Sequence, residues 1–137
     1  MPEDALKFRA TQRVGVLAVR MPDGSPHAAT IHFAYVPTLG KYIFRTSPES
    51  RKVESVKQGE TTGSFVIGSS EAEMKTLQMD GVVKLEDSEE IQEAYLGGLT
   101  DKSKESPDVY LTFTPTWWRY TDWTLPQGKT IFSSDAK

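Results

Sequence analysis

Cysteine is missing altogether from this 137-residue chain, and only His27 and His32 represent histidine. The first absence excludes disulfides, thiol catalysis, iron–sulfur clusters and zinc sites of the cysteine type. The second leaves too little for a histidine-rich metal site, so no metal ligands are assigned. No run approaches the ~20 apolar residues of a membrane-spanning helix, so no membrane partner is expected. The start, Met1-Pro2-Glu3-Asp4, is acidic and lacks the apolar stretch of a signal peptide, which makes the cytoplasm the expected compartment. Positive charge is not in excess either: 16 Lys and Arg face 19 Asp and Glu, a net -3, the wrong balance for a nucleic-acid binder. No internal repeat is visible.

What is present fits one modest domain. Residues 1–125 are assigned to it and 126–137 to a polar C-terminal tail. A hydrophobic fraction of 37%, with aromatics at 10%, fills a small core and leaves reason to expect a partner surface that buries the remainder. Pro2 to Thr11 reads as a short helix. Val14 to Val19 is a compact apolar run, most simply a buried strand. The turn signal Met21-Pro22-Asp23-Gly24 leads into a second, antiparallel strand over His27 to Val36. Pro37 to Gly40 turns the chain again, and Tyr42 to Thr46 forms a third strand.

Thr61 to Gly68 and Ala72 to Leu85 read as strands, with Gly81 marking a bulge or bend in the second. Ser88 or Asp87 caps a helix that fades at Gly97-Gly98. Asp101 to Pro107 is a polar loop. Val109 to Thr114 and Thr116 to Trp123 close the domain as two strands separated by Pro115. The class is therefore mainly β with short helices: six or seven antiparallel strands, tight turns, and a barrel or sandwich in preference to a parallel sheet, a closed barrel having no exposed edges.

The most informative stretch is Thr46-Ser47-Pro48-Glu49-Ser50-Arg51-Lys52. A strand runs into an expected helix with Ser47 as N-cap and Pro48 at the first helical position. On such a helix Ser47, Ser50 and Arg51 share one face, at i, i+3 and i+4. Hydroxyls, cations and a helix start suit a phosphate. Glu49 must then point outward. The bland alternative, a solvated helix start with surface cations, applies to Ser50-Arg51-Lys52 taken alone.

In this order the pieces resemble the pyridoxamine 5'-phosphate oxidase-like, FMN-binding split-barrel superfamily, over roughly Leu6 to Trp123. Three stretches carry the resemblance: the opening hairpin Val14–Val19 and Gly24–Tyr35, the element Tyr42–Thr46 followed by Ser50-Arg51-Lys52, and Thr76–Leu85 with Gln78 ahead of Gly81. It implies a six- to seven-stranded split barrel and an FMN-binding homodimer with the flavin at the subunit interface. Thr46, Ser47, Ser50, Arg51 and Lys52 would then hold the phosphate and ribityl end. Thr30, Ile31 and His32 would line the ring, mostly through backbone groups, and Gln78 would approach its edge. Trp117 and Trp118 fall where the family's closing strand reaches across the dimer. They occupy alternating faces, so at least one of the pair packs into the core or interface.

True pyridoxamine phosphate oxidases carry a further C-terminal Arg- and His-bearing motif, absent from the polar tail, so oxidation of vitamin B6 is not expected. The implied activity is that of a flavin-dependent oxidoreductase on an unidentified small molecule, with no catalytic residue assigned. The alternative is a split-barrel module that binds haem, a deazaflavin or a nucleotide without turnover.

Overall fold

A computed structural model describes residues 1–68, 70–97 and 108–135. The elements run α1 (Glu3–Ala10), β1 (Val14–Arg20), β2 (Pro26–His32), β3 (Ala34–Val36), β4 (Lys41–Thr46), α2 (Arg51–Ser55), β5 (Glu60–Ile67), β6 (Lys75–Leu85), α3 (Glu89–Leu96), β7 (Val109–Asp122) and β8 (Thr130–Ser133). All strand pairs are antiparallel, in the order β2-β1-β5-β6-β7-β4-β3, with β8 added beside β7.

That order closes the sheet. Its two edge strands, β2 and β3, are consecutive in the chain and separated only by Phe33. The edges must therefore meet, and the sheet curls into the expected split barrel. The expected single strand from His27 to Val36 is thus two strands. Its first part pairs with β1 and its last part with β4, so the break at Phe33 is a change of partner. Above the break β2 and β4 touch without pairing, which leaves a seam in the barrel wall.

Side chains alternate across each strand. Leu17, Val19, Ile31, Tyr42, Phe44, Phe65, Ile67, Leu77 and Met79 point inward and are buried. Phe65 sits among Phe44, Phe33, Tyr42 and Phe113, with ring centroids 5.0, 5.2, 5.5 and 6.0 Å away, mostly edge to face. Each such ring adds a large apolar area to the burial, at roughly 25 cal/mol per Å². Helices close the two ends. Phe8 and Ala5 of α1 and Val56 after α2 join the same core. A smaller outer cluster of Ile43, Ile91 and Tyr110 seats α3.

Two further expectations change. Pro115 does not divide two strands, because β7 runs unbroken through it. The register between β6 and β7 slips there, with Gly81 opposite Pro115 and Asp80 opposite Trp117. A bulge tolerates a residue that cannot donate to the ladder. Gly81 is needed on the other side, since a Cβ there would collide with the Thr114 carbonyl oxygen and lie 2.9 Å from Pro115 Cα. The segment read as a polar tail contributes β8, whose register with β7 pairs Tyr120 with Phe132 and Thr121 with Ile131. Ser88 caps α3 as expected, accepting from Ile91 N, and Gly97 ends it in a left-handed conformation. The expected loop Asp101 to Pro107 lies outside the described residues.

Candidate functional site

The segment after β4 departs from its expected shape. Ser47 is not the N-cap: Ser47-Pro48-Glu49 forms a turn, in which Ser50 N donates to Ser47 O at 3.1 Å and Glu49 N to Ser47 Oγ at 3.3 Å. The helix begins three residues later, with Ser50 as N-cap and only Arg51–Ser55 helical. Both serines satisfy the local rules for a cap, and the turn won because it satisfies Glu49 N with the Ser47 hydroxyl. Ser47, Ser50 and Arg51 therefore do not share a helical face, and five residues make a weak dipole. Any anion site here rests on side chains.

Two of those side chains meet. Thr46 Oγ1 donates to Ser50 Oγ at 3.2 Å, and the Ser50 oxygen accepts from no helix N–H. Arg51 is exposed and lies within electrostatic reach of Asp23, whose carboxyl is held low chiefly by hydrogen bonds from Ser25 and, more weakly, by Arg51. Lys52 is the unusual member. It is only 9% exposed, and no carboxylate among the described residues pairs with it. Burial pulls its ammonium below the ordinary lysine range, with no opposite charge to counter the effect. Its Nζ keeps access to solvent, since the sealed side-chain nitrogens without a hydrogen bond among the described residues are Arg45 Nε and Arg119 Nε, so the ammonium can meet an incoming anion. Nearby Arg45, by contrast, is paired with Asp108 at 3.2 Å.

The other expected residues sort by strand face. Thr30 and His32 are exposed on the outer face of β2, whereas the Ile31 side chain is in the core. Register places Thr30 beside Val16, Val16 beside Val66, Val66 beside Gln78, and Gln78 beside Arg119. Thr30 and Gln78 thus lie in one outward row, three strand spacings or roughly 14 Å apart. The tryptophans split, as alternation requires. Trp118 packs on the core, while Trp117 faces out, with the Arg119 guanidinium 5.2 Å from its ring. The Trp117 indole also helps hold the Asp135 carboxyl low, after the stronger contribution of the Ser133 hydroxyl.

The free edge of β2 carries Thr30 to His32 along the seam, and β4 ends at Thr46 on the other side of it. Thr46 and the Ser50-Arg51-Lys52 stretch that follows it therefore lie at the end of β4 that borders the seam. Gln78 and Trp117 lie apart, across the outer face. Sequence reasoning passed over Arg119, although alternation from Trp117 already put it on the outer face. Among the described residues, no group of His, Asp or Glu is placed to hold a metal, and no helix is long and apolar enough to cross a membrane.

A family model described as pyridoxamine 5'-phosphate oxidase matches residues 1–122. No curated protein matches the chain. Among solved structures, a pyridoxamine 5'-phosphate oxidase-related, FMN binding protein from Nostoc punctiforme PCC 73102 superposes with a TM-score of 0.65 at 14% identity, covering 98% of this chain and 96% of that one. A conserved hypothetical protein from Mycobacterium tuberculosis gives 0.66 at 22% identity, covering 99% and 95%. A heme binding protein from Mycobacterium smegmatis gives 0.68 at 16% identity, covering 98% of this chain but 58% of that one. At such identities the likeness is one of fold, and the split barrel is shared by all three. With the family model spanning nearly the whole domain, the chain belongs to the pyridoxamine 5'-phosphate oxidase family.

Proposed function

We propose that this chain binds FMN and serves as a flavin-dependent oxidoreductase on a small molecule, working as a cytoplasmic homodimer with the flavin at the subunit interface. The observation that carries this reading is the unpaired ammonium of Lys52, on a largely covered side chain two residues after Ser50, whose hydroxyl meets that of Thr46. A phosphate dianion suits this donor set. It offers several acceptor oxygens, and charge-assisted contacts are roughly twice as strong as neutral ones. Lys52 and Arg51 would bind the phosphate, and Ser47 and Ser50 would complete the shell. The backbone of Thr30, Ile31 and His32 would border the ring, with Gln78 and Trp117 meeting it from the outer face. Trp118 would support that strand from the core side.

FMN, when bound, supplies hydride or electron transfer, and the protein's task is to bind, orient and shield it. That division of labour fits a chain in which no nucleophile–base pair stands out. Replacing Arg51→Ala and Lys52→Ala together should strip the flavin, since two charge-assisted contacts are lost. A double variant that still purifies yellow, with an undiminished flavin absorbance band, would reject the site. A second reading, a non-catalytic module for haem, a deazaflavin or a nucleotide, takes support from the heme binding neighbour. It would be preferred if FMN neither co-purified nor raised thermal stability.

A further inference from the structure

The end of the barrel away from Lys52 carries another cation, with a cleft in front of it. Arg9, in the last turn of α1, lays its guanidinium 3.6 Å from the centroid of the Tyr35 ring and donates to Tyr42 Oη at 3.2 Å. Stacking occupies one flat face of the guanidinium, not its edge. One in-plane nitrogen serves Tyr42 and also lies 3.9 Å from the Met1 sulfur. A guanidinium has five donors in that plane, so several remain. No carboxylate among the described residues pairs with Arg9.

The cleft measures about 310 Å³, and Leu6, Phe33, Tyr35 and Pro37 form its apolar walls. That is the lower end of the size range for small-molecule pockets, roughly 300–1,000 Å³. Gln12, at its rim, spends its amide on Glu73 at 3.0 and 3.1 Å, and Arg9 is the cation among the lining residues. Both partners of Arg9 fix its plane: the ring of Tyr35 sets the tilt and the buried hydroxyl of Tyr42 sets the rotation. A fork held in this way matches a carboxylate, which accepts two parallel N–H bonds, better than a freely rotating lysine would.

We propose that this cleft binds a small planar carboxylate, an aromatic acid whose ring lies against Phe33 and Leu6 and whose carboxylate meets the Arg9 fork. The site goes beyond the flavin reading and does not depend on it, though Phe33 directly follows the β2 segment assigned to the flavin ring. Benzoate is the probe, titrated into the full chain by calorimetry, with uncharged benzamide as its isostere. Benzoate should bind saturably to the native protein and to Arg13→Gln, an exposed control. Benzamide, and benzoate with Arg9→Gln, should each bind about tenfold more weakly or worse. Ala10→Trp, which fills the cleft from an exposed position and leaves the Arg9–Tyr42 bond alone, should abolish benzoate binding even if Arg9→Gln proves unstable. No benzoate binding to the native protein would overturn the site. So would equal affinity for benzamide, undiminished binding in folded Arg9→Gln, or undiminished binding in Ala10→Trp.

Discussion

Lys52 and Asp122 are both nearly closed off from solvent, 9% and 2% exposed, yet the fold furnishes them in opposite ways. Asp122 ends β7 and accepts hydrogen bonds from Tyr120 and Thr124. Tyr120 Oη donates at 3.2 Å, Thr124 N at 2.8 Å and Thr124 Oγ1 at 2.6 Å. Lys52 follows β4, beside the other end of β7, with no acceptor among the described residues. A buried charge surrounded by partners is part of the architecture. A largely covered side chain whose charge lacks them is free to take a partner from outside the chain.

The largest effect should come from removing the satisfied charge. Asp122→Ala leaves the Tyr120 hydroxyl and two Thr124 donors unmet in a closed site, which should lower unfolding stability by about 3 kcal/mol in urea titrations. The same group predicts acid sensitivity. Burial alone would raise its carboxyl, but the hydrogen bonds from Thr124 and Tyr120 and the attraction of Lys75 outweigh that, and the net shift is down from the ordinary 3.8. A lowered folded value gives stability that is present above pH 3.8 and lost as pH falls through the folded value. The acid limb of the native protein should therefore be steeper than that of Asp122→Ala. Superimposable acid limbs would remove the basis of the comparison.

A smaller effect, of opposite sign, is expected for the unsatisfied charge. Lys52→Met should stabilise the flavin-free protein by at most about 1 kcal/mol, because a partly desolvated ammonium with no opposite charge, still screened by solvent, gives way to an apolar side chain. Its folded value lies below the ordinary 10.5, so the folded state binds fewer protons than the unfolded one, and the cost is relieved as pH rises towards 10.5. The advantage of Lys52→Met should shrink over that range. Tyr120, raised from 10.0 to about 12 by burial and by Asp122, pulls the other way, since its contribution is lost between those values. That loss is common to both proteins and cancels in the difference curve. A destabilised Lys52→Met would mean the lysine is satisfied after all.

Much of the fold was legible because period and punctuation agreed. The apolar run Val14 to Val19 is β1, Ser88 caps α3, and Gly81 sits at the bulge it was assigned. What failed was decided by neighbours distant in sequence. The apolar run through Phe33 carries no local sign that its partner changes from β1 to β4. Pro115 looks like a terminator until Gly81 is seen opposite it, accommodating the slip. The Pro126-to-Asp135 segment is too polar to read as a strand, yet β8 fills the place beside β7 that β4 vacates past Phe113. In the site, residue types were legible and geometry was not. Ser47 and Ser50 are equivalent caps on paper, and nothing local distinguishes exposed Arg51 from buried Lys52.

The phosphate cradle is tested most directly by comparing FMN with riboflavin, which differ by the phosphate alone, in the native protein and in Lys52→Met. Two charge-assisted contacts should favour FMN by about a hundredfold or more in the native protein, and the ratio should fall at least tenfold in the variant. Equal affinities for the two flavins in the native protein, or a ratio indifferent to Lys52, would contradict the account.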